Sequence, residues 1–233
     1  MEIPTIMSDY AEYLALVDAF PDLFKNPPDA GFKILLNDAE IKKAAHDAAT
    51  RLRAEGKPDE WAEVGVAFKD QYTLILRDAV RYPDGSLGTY IRSISPVPGV
   101  VILPVWQQQI LVIKHFRHAT RTWHLEIPRG YGSSMDTLAS ARRELAEEID
   151  ASGVTWTELG QTYPDTGATN SIVALFYAEV QSYGQPDRKE AISEILPTSI
   201  EKFERMISEN TLTDGYLLAA YGKAKARRML LPA

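Results

Sequence analysis

Two apolar runs near the middle of the chain most constrain its fold. They are GVVILPVW at residues 99–106 and QILVIKHF at residues 109–116, and two glutamines separate them. Strands that are apolar at almost every position are typical of sheets that are covered on both faces. The two runs therefore predict a pair of buried strands in a sheet against which helices pack.

The remaining elements place these strands in a sandwich of the α/β or α+β class. Residues 1–60 show helical spacing of apolar side chains in SDYAEYLALVDAF and NDAEIKKAAHDAATRLRAEG. After Trp61 the pattern changes to alternating strands with a YPDGSLG hairpin turn. A helix over residues 137–149, two further strands, a polar loop and closing helices complete the chain. We expect a helical N-terminal extension at residues 1–60 and a main domain at residues 61–233.

The charge and the cysteine content of the chain exclude several functional classes. The chain has 25 basic and 32 acidic residues, a net charge of −7 and no cysteine. Nucleic acids and anionic membranes bind basic surfaces, so neither is an expected partner. Without thiolates, a bound metal ion must be held by oxygen or imidazole ligands. The acidic N-terminus lacks signal-peptide order, and no apolar stretch approaches the roughly 20 residues of a membrane span, so the expected location is the cytoplasm.

The helix predicted over residues 137–149 carries a crowded set of carboxylates in the stretch RRELAEEID. At about 100° per residue, Glu144, Glu147 and Glu148 share one arc of this helix, beside an apolar stripe. Like charges at these spacings repel by roughly 0.2–0.5 kcal/mol per pair, whereas a hard divalent cation prefers carboxylate oxygens as ligands. The spacing alone leaves two interpretations open: a solvated helix face or a metal site.

The stretch that contains this helix, GYGSSMDTLASARRELAEEIDA, resembles the signature of the Nudix hydrolases. The residues that match the signature on the helix are Arg143, Glu144, Leu145, Glu147 and Glu148. ILVIKHFRH and TWHLEIPRG are similar to stretches of the ADP-ribose pyrophosphatase branch, and the resemblance covers about residues 64–225. It implies a Nudix-type mixed-sheet α/β/α sandwich with an N-terminal helical extension, and it favours the metal site.

Two positions depart from the pattern of the family. Met135 stands where the family has a glutamate, and because the loop is one residue short, Asp136 is the candidate replacement. Asp150 stands where a glycine usually ends the motif, although aspartate tolerates a left-handed turn better than most residues. These departures favour a second interpretation, a catalytically weakened Nudix-fold module that binds and senses a nucleotide. The intact glutamates favour an enzyme.

The resemblance implies hydrolysis of the pyrophosphate bond of a nucleoside diphosphate derivative with Mg²⁺, or Mn²⁺ as the alternative metal ion. The implied substrate is ADP-ribose, cleaved to AMP and ribose 5-phosphate, or a related nucleotide sugar. Glu144 and Glu148 are the implied principal metal ligands. Glu147 either bridges to the metal or supports these ligands without contacting the metal. Together with Arg143, which is expected to anchor the loop, Glu147 and Glu148 form the implied catalytic set on the helix.

Further residues are implied at the substrate and at the attacking water. Arg117 matches an arginine near the phosphates, and Glu126 matches a glutamate that binds metal or the terminal ribose, or has a structural role. Arg129, where the usual residue is small, adds a candidate phosphate contact, and its carbonyl is the implied backbone metal ligand. The polar loop supplies Glu190 as the candidate general base, with Glu194 as the second choice. Members of this branch commonly pair, so a homodimer is the expected assembly.

Overall fold

The structure is a computed structural model that describes residues 9–132 and 134–230. The chain forms two compact units. The first unit holds the described residues up to Ser95 together with Asp165–Asn170. The second unit holds Pro96–Pro164 together with the described residues from Ser171 onward.

The first unit packs two helices against a four-stranded antiparallel sheet. Its elements are α1 (Tyr10–Ala19), β1 (Lys33–Ile34), α2 (Asp38–Ala54), β2 (Gly65–Lys69), β3 (Leu74–Arg81) and β4 (Leu87–Ile94). Strand β3 lies inside the sheet and pairs with each of the other three strands. Tyr13 of α1 and Ile41 of α2 share a core with Leu76 of β3. The helical segment therefore folds together with the strands that follow it, and the unit ends later in the chain than the division predicted at residue 60.

The second unit contains a seven-stranded mixed sheet and three helices. Its elements are β5 (Gly99–Trp106), β6 (Gln109–Arg117), β7 (Thr122–Glu126), β8 (Arg129–Tyr131), α3 (Thr137–Ile149), β9 (Thr155–Thr162), β10 (Val173–Glu179), β11 (Ile192–Ser199), α4 (Ile200–Ser208) and α5 (Gly215–Ala226). The strand order is β11-β6-β5-β10-β9, with β7 paired to β6 and β8 paired to β5. Strand β10 runs parallel to β5, and the other pairs are antiparallel.

Successive residues of β5 belong to two cores, one on each face of this sheet. Val101 packs in a core with Phe203 of α4 and Leu217 of α5. Its neighbour Ile102 packs in a second core with Leu145 of α3. The predicted sandwich is confirmed, and the continuous apolar runs are explained because helices bury both faces of the sheet.

Helix α3 has the bounds that the sequence predicts, Thr137 and Ile149. The side chain of Asp136 caps its N-terminus by accepting a hydrogen bond from the Ala139 N–H at 2.9 Å. Asp150 ends the helix in the left-handed conformation, with φ of 49°. The aspartate thus takes the conformation for which the family usually has a glycine.

Strand β11 is an element that the sequence pattern missed. Its sequence, ISEILPTS, includes a proline, and most of its residues are only partly buried. The strand lies at the end of the sheet order and pairs with β6. An edge strand tolerates Pro197 because one of its sides has no partner strand to which a backbone N–H must donate.

The helices of the described part are short or amphipathic. The longest, α2, has 17 residues and carries charged side chains along its length. Within residues 9–132 and 134–230, no helix is long and apolar enough to cross a membrane.

Candidate active site

Helix α3 buries its three motif glutamates to different extents. Glu148 and Glu144 are 1% and 6% exposed, whereas Glu147 is exposed. Both carboxylate oxygens of Glu148 are buried and have no partner at full hydrogen-bond geometry within the described part of the chain, although the Arg129 N–H lies near enough to lower the pKa of this carboxyl. Because a buried carboxylate without a partner is costly, this arrangement indicates a ligand that the chain itself does not supply.

The surroundings of the two buried glutamates raise the pKa of both carboxyl groups when no cation is present. Burial, followed by the charges of Glu190 and Glu144, raises the pKa of Glu148 to about 8. Burial also raises the pKa of Glu144, and the neighbouring Arg143 opposes this shift. A divalent cation would reverse both effects, because it stabilises the ionised carboxylates.

Gly130 leaves the space that the carboxylate of Glu144 occupies. A Cβ atom at position 130 would lie 2.1 Å from the carboxyl carbon of Glu144. The backbone of β8 therefore passes directly against this carboxylate. The glycine is required here by the close approach of a side chain to the backbone.

Arg143 connects the end of β8 to two of the motif glutamates. Its guanidinium donates to the Tyr131 carbonyl at 3.3 Å, to Glu144 Oε1 at 2.6 Å and to Glu147 Oε2 at 2.9 Å. Met135, at the position of the missing family glutamate, is 74% exposed. In this chain, two glutamates of the helix itself provide acidic partners for the arginine.

The loop before β11 brings Glu190 to the cluster. Its negative charge contributes to the raised pKa of Glu148. The Asp187 N–H in the same loop donates to the Glu148 carbonyl at 3.0 Å, which fixes the loop against the end of α3. Glu194, the second candidate base, lies on β11 and pairs with Lys114 at 3.1 Å. Of the two candidates, Glu190 is the one whose charge acts on the buried glutamates.

His115 on β6, which the sequence does not favour as a metal ligand, is buried beside this loop. Its Nδ1 has no partner among the described residues. Burial, followed by the charge of Arg117, lowers the pKa of His115 to about 4, so the ring is neutral at pH 7. The main chain of Glu190 hydrogen-bonds to the ring. A single histidine on an apolar strand gives no sequence signal that distinguishes this position from an ordinary core position.

Two arginines share the buried carboxylate of Glu126, which is 1% exposed. Arg117 donates to Glu126 Oε2 through Nε at 2.9 Å and Nη2 at 2.5 Å, and Arg129 Nη2 lies 3.1 Å from the same oxygen. Arg129 also contacts Asp214 at 3.2 Å and lies 4.9 Å from the ring centre of Tyr216. The structure thus brings together the three predicted substrate-binding residues, Arg117, Glu126 and Arg129. It adds Asp214 and Tyr216 at the start of α5, which the sequence did not indicate.

The carboxylates of this site are suited to bind a divalent cation. Glu148 offers two buried oxygens without partners, and Glu144 and Glu190 lie close enough to act on its pKa. Among the described residues, no three histidine, aspartate or glutamate side chains are already spaced as a complete metal site. Arg143 holds the carboxylates of Glu144 and Glu147. A cation here would displace part of these contacts or complete its coordination with water, as Mg²⁺ usually does.

A model of the NUDIX domain family matches residues 95–218, from the residue after β4 into α5. This chain belongs to the Nudix hydrolase family. It is accordingly an enzyme, a Nudix pyrophosphohydrolase, as the resemblance in the sequence predicts. The matched residues include the acidic face of α3, which carries the stretch that resembles the Nudix signature.

A solved structure is similar to this Nudix enzyme in fold. It is the crystal structure of an ADP compounds hydrolase, with a TM-score of 0.60 and 15% sequence identity. The similarity covers 72% of this chain and 92% of that chain. No curated protein matches the sequence. At this low identity, the similarity supports the shared fold.

Proposed function

We propose that this Nudix enzyme hydrolyses the pyrophosphate bond of a nucleoside diphosphate derivative with Mg²⁺, or with Mn²⁺ in its place. ADP-ribose is the first candidate substrate, and a related nucleotide sugar is the second. The observation that carries the proposal is the buried, unpartnered carboxylate of Glu148 beside two further carboxylates. The resemblance to ADP-ribose pyrophosphatases and the similarity to an ADP compounds hydrolase support an adenine nucleotide.

The carboxylates of α3 are proposed to hold the cation. Glu144 and Glu148 are its ligands. Glu147 does not contact the cation and supports these ligands through its contact with Arg143. Arg143 in turn holds the loop through the Tyr131 carbonyl. When bound, the cation neutralises phosphate charge and lowers the pKa of the attacking water.

The remaining groups bind the substrate and move the proton. Arg117 and Arg129 donate to the diphosphate oxygens, and Glu126 fixes the positions of both guanidinium groups. Glu190 accepts a proton from the water that attacks phosphorus. The phosphorus–oxygen bond to the leaving phosphate then breaks, so that ADP-ribose and water give AMP and ribose 5-phosphate.

The test is incubation of the native protein with ADP-ribose and Mg²⁺, with AMP and ribose 5-phosphate followed by chromatography. We expect the two products in equal amounts, no product with excess EDTA, and recovery when Mg²⁺ or Mn²⁺ is restored. Release of a nucleoside monophosphate from another nucleotide sugar alone would keep the reaction and change the substrate. If ADP-ribose raised the melting temperature without being cleaved, the sensor interpretation would replace the proposal.

Glu190 and Glu194 can be compared directly as general bases. Glu190→Gln is expected to lower kcat by about 10²–10⁴-fold, the usual contribution of a positioned base. Glu194→Gln removes the same charge from β11, where the carboxylate pairs with Lys114, and is expected to change kcat little. Steady-state kinetics of the two variants check this, and the reverse order would move the base to Glu194.

The assembly and the location of the protein remain predictions. The resemblance to ADP-ribose pyrophosphatases supports a homodimer, and the composition supports a cytoplasmic enzyme. Light scattering after size-exclusion chromatography should give twice the 26.0 kDa of one chain. A mass of one chain at micromolar concentration would contradict the dimer.

A further inference from the structure

Asp214 makes two contacts with its two carboxylate oxygens. Oδ1 accepts a hydrogen bond from the Leu217 N–H at 2.8 Å and so caps the N-terminus of α5. Oδ2 lies 3.2 Å from Nη1 of Arg129 on β8. The Asp214 side chain is only 10% exposed, so both contacts are largely shielded from water. A helix cap needs one oxygen, and the contact with Arg129 therefore calls for a separate explanation.

Asp214 is one of three groups that restrain the guanidinium of Arg129. The other two are Glu126 Oε2, 3.1 Å from Nη2, and the ring of Tyr216, whose centre lies 4.9 Å from the guanidinium carbon. A guanidinium has five N–H donors in one plane, so these contacts fix the plane and leave donors free. The side chain is 21% exposed, and the free donors can therefore reach a ligand.

The contacts of Glu126 indicate how the guanidinium of Arg129 would rearrange without Asp214. Arg117 and Arg129 both approach the same oxygen, Oε2 of Glu126. Arginine and carboxylate pairs favour two parallel hydrogen bonds, one to each oxygen. Released from Asp214, Arg129 would rotate to make such a pair with Glu126 and would compete with Arg117 for it. The N–H groups of Arg129 that can now reach a ligand would then be bound to Glu126 instead.

We infer that Asp214 is a positioning residue for the substrate: it holds Arg129, and through Glu126 also Arg117, in the orientation that binds the diphosphate. The inference rests on the proposed function, because it takes both arginines as diphosphate contacts. It extends that function to a residue outside the Nudix motif, at the start of the closing helix. In this role Asp214 acts on the substrate only through the arginines, so its loss changes substrate binding rather than proton transfer.

The variant Asp214→Asn separates the two contacts of this residue. Asparagine caps helices about as well as aspartate but offers no negative charge to Arg129. For Asp214→Asn we expect KM for ADP-ribose to rise about tenfold, kcat to stay within about threefold, and the melting temperature to stay above that of Asp214→Ala. Asp214→Ala loses the cap as well, so it should show the same KM and a lower melting temperature. Ser199→Ala, which removes the cap of α4, is the matched control and should lower the melting temperature without changing KM.

A double-mutant cycle tests whether Asp214 acts through Arg129. If it does, Asp214→Asn adds nothing to KM once Arg129→Ala is present. Effects that add in full would overturn the inference, as would a native KM for Asp214→Asn.

Calorimetric titration with ADP and Mg²⁺ reports diphosphate binding without catalysis, and Asp214→Asn should weaken it about tenfold. If the native protein binds ADP but does not cleave ADP-ribose, the proposed function fails and the affinity of Asp214→Asn alone decides the inference. Native affinity in the variant, or no binding of ADP by the native protein, overturns it.

Discussion

Replacing Glu148 by glutamine is expected to reduce ADP-ribose hydrolysis about a thousandfold or more, the largest loss that we predict for a single substitution. The carboxylate of Glu148 is 1% exposed and has no partner at full hydrogen-bond geometry in the described part of the chain, so both of its oxygens are available to a cation. A neutral amide of the same shape leaves the packing of α3 unchanged but is a poor ligand for a hard cation. Initial rates of AMP release at saturating Mg²⁺ measure the loss.

The same substitution is expected to stabilise the metal-free protein at neutral and alkaline pH. The pKa of Glu148 is about 8 in the folded protein against 4.5 as its ordinary value, so the folded state binds more protons in this range. Stability therefore falls as pH rises from the ordinary value through the folded one, and glutamine removes this dependence. Because one pKa unit corresponds to about 1.4 kcal/mol, the gain at pH 9 is on the order of a few kcal/mol. Melting temperatures in EDTA between pH 5 and pH 9 check the trend.

Glu201→Gln is the control for this prediction, since it removes an equal charge from the exposed first turn of α4. It should leave both the hydrolysis rate and the pH trend of the melting temperature as in the native protein. Full activity of Glu148→Gln would show that Glu148 is not a ligand of the catalytic metal ion. If Glu148→Gln were less stable than the native protein in EDTA at pH 9, groups of the chain itself would have to stabilise the ionised carboxylate of Glu148.

The substitution Gly130→Ala is expected to cause the second large loss, about a hundredfold or more in kcat, while the protein stays folded. A Cβ atom at this position would lie 2.1 Å from the carboxyl carbon of Glu144, so the carboxylate must move. The side chain of Glu144 is flexible enough to move without unfolding β8, but it then no longer occupies the proposed ligand position. Misplacement of a reacting or coordinating group by about 1 Å can cost a hundredfold in rate.

Gly222→Ala on α5 is the matched control, because a Cβ atom there meets nothing within 4 Å. Alanine favours a helix over glycine, so this variant should be fully active and as stable as the native protein or slightly more stable. Circular dichroism and kcat for both variants separate folding from catalysis. Native activity in Gly130→Ala would show that the position of the Glu144 carboxylate does not matter for the reaction.

The sequence predicted the motif helix and placed its three glutamates on one arc beside the apolar stripe. At 100° per residue, Glu148, Glu144 and Glu147 lie at increasing angles from the apolar stripe that includes Leu145. The structure shows the same order, from 1% and 6% exposure to an exposed side chain. Such an order can be predicted because the backbone geometry of a helix is fixed and one apolar stripe decides which side faces the core.

The partners of these glutamates could be predicted only in part. The sequence indicated Glu190 as a candidate base from a resemblance, but its approach to Glu148 depends on where β11 lies. That strand was missed because an edge strand needs only part of its surface apolar and tolerates Pro197. The hydrogen bond between the Asp187 N–H and the Glu148 carbonyl has no counterpart in any local pattern.

The sequence by itself determined the elements whose signal is local: the buried strands β5 and β6, the motif helix α3, and the Nudix motif. Only the tertiary structure decided that Arg117, Glu126, Arg129 and Asp214 meet. Local periodicity follows from backbone geometry and burial, which a few neighbouring residues already specify. Contacts between residues far apart in sequence depend on the order of strands in the sheet and on the side of it that each helix covers, and these are properties of the whole fold.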